Sequence, residues 1–285
     1  MLVIVGIVIV FGCVFGAYSV HGDLRVLWQP LEFVIILGAA MGALIISNTK
    51  TGLKATGAAF KRALKGPHYK KADYVELLSV LYQIFRLAKT KGMLALEQHV
   101  EKPDESTLFA QFPKFQHDHH AVEFLCDYLR MMTLGTENPN EVETLIDAEL
   151  ETHHAELHVG SHAIQSTADA MPALGIVAAV LGVIVTMGSI AEPPEILGGL
   201  IGAALVGTFF GILMSYGVFA PIASVVIATD NADAKYYQCM KSGLLAHMQG
   251  YPPAVSVEFA RKVLWSTERP SFYEVEQAVS ALPTP

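Results

Sequence analysis

Charge is missing from long stretches of this 285-residue chain. Only 16% of residues are charged, against roughly a quarter in soluble domains. No Lys or Arg occurs between Arg130 and Lys235, and residues 1–20, 33–49, 171–191 and 196–229 hold no Asp, Glu, Lys or Arg. That pattern excludes an ordinary soluble domain. Cysteine is scarce as well: Cys13, Cys126 and Cys239 are odd in number and far apart, so neither a disulfide framework nor a CxxC metal site is indicated. Enzyme signatures are absent. There is no GxGxxG after a strand, no GxxxxGK[ST], no HExxH and no GxSxG, and the chain reads as a non-enzyme without a cofactor. A net charge of -8 gives no case for nucleic acid.

What is present is apolar: 52% hydrophobic residues and a mean hydropathy of +0.41. About 20 apolar residues in a helix cross the hydrocarbon core, so the four uncharged runs read as four spans. For the first run a signal peptide is the competing reading. That would need a basic n-region and a shorter apolar core, and the run has neither. The second run is short, with Glu32 at its mouth. The fourth is longer than one span needs, so its helix tilts or continues, with Pro221 bending its far end.

Lys and Arg orient the spans. Residues 50–170 hold thirteen and the tail after 229 holds five, whereas the two short links hold only Arg25. By the positive-inside tendency the long parts are cytoplasmic, as are both termini. The expected fold class is all-α: a polytopic membrane protein with four transmembrane helices and a helical cytoplasmic domain. Its parts are a first span 1–20, an outer loop 21–30, a second span 31–49, a cytoplasmic domain 50–170, a third span 171–191, an outer loop 192–197, a fourth span 198–226 and a cytoplasmic tail 227–285.

Small residues recur four apart in every span: Gly12 and Gly16, Gly38 and Gly42, Ala178 and Gly182, Gly198 and Gly202, Gly207 and Gly211. Such pairs let helix backbones approach closely in lipid, which points to close packing and an oligomer. The basic stretch 50–71 reads as a juxtamembrane helix in contact with lipid headgroups. Leu77, Leu78, Leu81, Ile84, Phe85 and Leu87 give residues 73–100 a helical period. Further helices are expected over 119–134, 139–158, 231–248 and 271–280, with Pro103, Pro113 and Pro139 as punctuation. His154, His158 and His162 share a helix face as metal ligands could, but nothing of catalytic spacing accompanies them, and a polar surface is the blander reading.

None of the spans has a central ionisable residue, which proton relays normally require. If the protein conducts ions, the titrating carboxylate is expected from another chain. The polar groups within spans three and four are the hydroxyls of Thr186, Thr208, Ser215 and Tyr216, and most such hydroxyls bond their own helix. Pro172 and Pro221 each free a carbonyl, and by the topology both lie near one cytoplasmic depth. Ordinary helix initiation is the alternative for Pro172.

At full length the sequence resembles the MotA family of flagellar stator subunits, in the MotA/TolQ/ExbB superfamily. The resemblance is carried by ALVGTFFGILMSYGVFAP (204–221), MPALGIVAAVLGV (171–183), GMLALEQHVEKP (92–103) and VEFARKVLWSTERPSF (257–272). It implies a stator subunit in the bacterial inner membrane, a homo-oligomeric ring of five around a MotB-like partner. That single-span partner would bring the ion-binding Asp and a peptidoglycan anchor. The resemblance also places Ala179 and Thr208 on the ion path and Pro172 and Pro221 in conformational coupling. Lys89 and Glu97 would meet the rotor protein FliG, Lys89 standing where the family commonly has Arg. Sodium-driven relatives carry Thr where this chain has Ala179, so the expected ion is the proton. The alternatives are a TolQ/ExbB-type ring, which has three spans, a solute transporter, for which no mid-membrane substrate site is evident, and a structural membrane scaffold.

Overall fold

A computed structural model describes residues 2–136 and 138–283. Among them the regular structure is helical: α1 (Leu2–Tyr18), α2 (Pro30–Ser47), α3 (Lys50–Lys65), α4 (Lys71–Lys91), α5 (Glu97–Glu101), α6 (Pro113–Gln116), α7 (His119–Thr133), α8 (Pro139–Gly188), α9 (Pro194–Met214), α10 (Ala220–Met248), α11 (Pro253–Lys262) and α12 (Phe272–Ser280). Proline sits at the first position of α2, α6, α8, α9 and α11. There its fixed φ suits the helix and its missing N–H costs nothing. Two compact units result, Met1–Gly66 with Glu156–Thr229, and Pro67–Ala155 with Asp230–Pro285.

The first unit is apolar on its outside. By length and composition α2, the 50-residue α8 and the 55-residue run Pro194–Met248 contain stretches able to cross a membrane, and α1 is a shorter apolar helix of 17 residues. The chain passes from α9 to α10 through a π-helical segment, Ser215–Phe219. α3 folds with these helices. Its small, buried face is Gly52, Thr56, Ala59 and Ala63. A methyl group on Gly160 of α8 would lie 2.7 Å from Ala55 O and 2.9 Å from Ala59 Cβ, so the two backbones are nearly touching. Thr49 caps α3 by accepting from the Gly52 N–H at 3.1 Å.

The second unit has a conventional core. Leu77, Leu78, Leu81, Ile84 and Phe85 of α4 are buried against Leu96, Phe109, Phe115, Leu125, Leu129, Ile146, Met240, Leu244 and Leu264. The α4 helix packs on α6, α11 and α12. The tail signature proves to be a set of clamps. The Arg261 guanidinium donates to Pro270 O at 2.8 Å and to both Glu258 oxygens, holding that carboxyl below its ordinary value. Arg269 donates to Leu264 O at 2.7 Å. Ser271 then caps α12 in a capping box with Glu274. Hydrogen-bonded by Lys71 of α4 at 2.7 Å and then by Ser271, the Glu274 carboxyl is pushed down to about 2.

Candidate ion path and coupling residues

Two helices cross here on small residues. Along α8 and α9 the neighbours are Gly182 with Ala204, Ala178 with Gly207, and Gly175 with Gly211. A methyl on Gly211 would come within 2.6 Å of Met171 O and 3.0 Å of Gly175 Cα. No side chain separates the backbones, which is the contact small-xxx-small spacing permits. Of the five pairs read from sequence, these two meet inside the chain. A methyl on Gly12, Gly16, Gly38, Gly42 or Gly198 meets nothing within 4 Å, and one on Gly202 only Val26 at 3.6 Å.

Ala179 and Thr208 both fall at this crossing. A methyl on Gly207, the residue before Thr208, would sit 3.6 Å from the Ala179 nitrogen. The hydroxyls divide as a physical reading would want. Thr186 donates to Gly182 O of its own helix at 2.8 Å. Thr208 instead reaches across to Gly175 O of α8 at 3.5 Å. That is the outer limit for a hydrogen bond, so the hydroxyl is weakly committed and open to another acceptor.

Glu32 has a neighbour that the charge pattern does not reveal. It stands in the first turn of α2, at the mouth expected from sequence, and its Oε2 lies against α9, 3.0 Å from where a methyl on Gly207 would be. The carboxylate's surroundings are set by α9, which packs on α2. The rings of Phe33 and Phe210, 4.3 Å apart, hold the two helices together at this point.

The prolines are relocated. Pro172 lies inside α8, which rules out helix initiation. Its ring leaves the carbonyl of Ala168, a fully buried residue, without the usual intrahelical donor. Pro221 is exposed and is the second residue after the π-helical segment. A π turn absorbs the missing donor without ending the helix. The two are not level. Met171 meets Gly211, and the ten residues from Gly211 to Pro221 add about 15 Å of helix.

In the second unit Lys89 is exposed in the last turn of α4, and Glu97 is exposed at the start of α5. The turn between them uses Gly92 at φ 86, a left-handed conformation that favours glycine. Burial, with Lys89 adding to it, pushes the nearby His247 imidazole below its ordinary value. Among the described residues no group of three His, Cys, Asp or Glu is arranged to hold a metal. His154 instead shares a 3.1 Å hydrogen bond with Asn231.

Two family models match this chain. Motility protein A N-terminal covers residues 4–92, and the MotA/TolQ/ExbB proton channel family covers 116–238. Motility protein A of Escherichia coli (strain K12) is 42% identical over 100% of this chain and 97% of its own. Chemotaxis protein LafT of Vibrio parahaemolyticus is 34% identical over 95% of this chain and 96% of its own. The C. jejuni MotAB structure shares the fold, with a TM-score of 0.74 at 20% identity, covering 93% of this chain and 95% of that one.

Proposed function

The chain belongs to the MotA/TolQ/ExbB proton channel family as a motility protein A, a flagellar stator subunit and not an enzyme, and on that premise we propose how it works. Copies of the chain form a ring, five in the expected case, around a MotB-like single-span partner. The partner supplies an ion-binding Asp and the peptidoglycan anchor. A proton reaches that Asp from outside along the α8–α9 crossing, past Ala179 and Thr208. Neutralising the charge lets the ring step. Each charge crossing 100 mV contributes about 2.3 kcal/mol. Pro172 and Pro221 give the long helices points that bend, and Lys89 and Glu97 present charge to the rotor protein FliG.

The observation that carries this reading is the α8–α9 crossing. It brings Ala179 and a loosely held Thr208 hydroxyl to one place on a backbone contact too tight for side chains. With Ala179 in place of Thr, only one hydroxyl is offered, which favours a proton over a dehydrated sodium ion. The multi-pass placement in the inner membrane, with both termini cytoplasmic, rests on the Lys and Arg distribution. The basic face of α3 supports lipid contact. At 100° per residue, Lys50, Lys54, Lys61 and Lys65 fall within a sector of about 60°, on the side away from Gly52, Ala59 and Ala63. Such a stripe meets anionic headgroups.

The test is complementation. The chain and its partner are expressed in a cell lacking its own stator, and swimming is scored. Swimming is expected with the native chain and lost with Thr208→Val or Pro172→Ala. Full swimming with both variants would sink the assignment of this crossing as the path.

A further inference from the structure

We propose that Glu32 is a proton-binding carboxylate of the ion path, supplied by this chain itself; this rests on the stator reading above and adds a site to it. Its position carries the proposal. Oε2 has no solvent access and no hydrogen-bond partner among the described residues. It points at Gly207, where a methyl would meet Oε2 at 3.0 Å and Ala178 Cβ at 3.1 Å. Glycine is thus the residue that leaves the carboxylate room against α9.

The depth of that position decides what the group does. Gly207 is thirteen residues from the start of α9 at Pro194, about 20 Å along the helix, and Ala178 is ten residues from the end of α8 at Gly188, about 15 Å. Glu32 itself stands in the first turn of α2, yet the stretch of α9 that its Oε2 meets lies well inside that helix. Nothing nearby neutralises it. α8 carries no charged residue between Asp169 and its end, α9 has only Glu195 in its first turn, and α1 and the rest of α2 have none. The loop before α2 brings His21, Asp23 and Arg25, and its Val26 contacts α9 at Gly202, five residues outward of Gly207. An unpaired carboxylate among apolar helices is costly, and such groups persist in membranes where they handle ions.

Placed beside Thr208 and Ala179, Glu32 forms a relay. A hydronium from the outer side gives its proton to Oε2 and leaves as water. Glu32 then passes that proton to the partner's carboxylate and is again ionised. No electrons change hands, and each turn of the relay moves one proton inward.

The experiment uses the full complex in cells lacking their own stator. Glu32→Gln and Glu32→Asp are compared with the native chain for proton influx, rotation speed against external pH, and co-purification of the partner. Glu32→Gln is expected to lower proton influx about 100-fold while the partner still co-purifies. Glu32→Asp, shorter but titratable, is expected to restore influx and to move the pH midpoint of rotation. Native influx and an unchanged pH profile in Glu32→Gln overturn the proposal. If Glu32→Gln does not assemble, Glu32→Asp decides alone, and a pH profile identical to the native one overturns it. Failure of the native chain to support swimming would count against the stator reading instead.

Discussion

In α4 the buried residues are the large ones, Leu77, Leu78, Leu81, Ile84 and Phe85, and Lys89 and Lys91 face outward. In the paired stretches of α8 and α9 the buried residues include Gly175, Ala178, Ala204, Gly207 and Gly211, with Met171, Thr186 and Val206 the larger exceptions, while Val183, Ile184, Val185, Ile201 and Leu205 face outward. Both units are built of helices from one chain, yet size and burial run in opposite directions. The difference is the solvent each is made for. In water, burying apolar area is the dominant drive. In lipid that drive is gone, and what remains is close contact between backbones and a few hydrogen bonds. Glu32 gains its meaning from the same contrast. An exposed carboxylate such as Glu97 is ordinary in the second unit, and a carboxylate against Gly207 in the first is not.

Substitutions in both units sharpen that comparison. The largest effect is expected from Leu81→Ala in the second unit. Deleting a fully buried Leu costs about 2–5 kcal/mol, and thermal unfolding of the solubilised chain should register it. Next is Gly211→Val in the first unit. Overpacking costs about 1–3 kcal/mol, and Met171 O is backbone that no rotamer can move aside. An unchanged melting point there would mean that the α8–α9 contact is looser than described.

How much of this was readable in advance depends on what each feature answers to. The apolar runs and the helix start at Pro139 follow from local composition, and they are found in place; Lys89 and Glu97, singled out by the family resemblance, are exposed. The 50-residue continuity of α8 was not legible. The shift from acidic to uncharged residues after Glu156 looks like a boundary, yet nothing between 156 and 171 stops a helix. The π-helical segment before Pro221 and the helix α11 were missed for lack of a distinct signal. That Glu32 Oε2 lies against Gly207 could not be read at all, because it is a property of α9 packing on α2. A search for glycines opposite the acidic residue would have been the nearest clue.

Smaller effects test the surface of the second unit. Lys89→Glu should reduce swimming, and a reversed charge on the rotor should restore it. An exposed pair contributes about 0–1 kcal/mol, so the loss should be one of steering and not of assembly. If neither the single nor the double change affects swimming, Lys89 is misassigned. The Glu274 clamp predicts a pH effect. Its carboxyl titrates at about 2 in the folded chain, below its ordinary value of 4.5, so its contribution is present above 4.5 and is lost as pH falls from there toward 2. Melting point against pH should show that acid slope, and Glu274→Gln should flatten it. The smallest effect is expected from Val183→Ala, the counterpart of Leu81→Ala on the outward face of α8. A change within about 0.5 kcal/mol would fit a lipid-facing side chain, and a loss as large as that of Leu81→Ala would break the contrast between the units.

The most direct measurement is the rotation rate of single motors driven by this chain and its partner in cells without another stator. Sodium is held constant while an uncoupler lowers the proton-motive force in steps. Rotation should slow with each step, stop when the force is gone, and be indifferent to the sodium concentration. Rotation that persists under the uncoupler as long as a sodium gradient remains would contradict a proton path through the α8–α9 crossing.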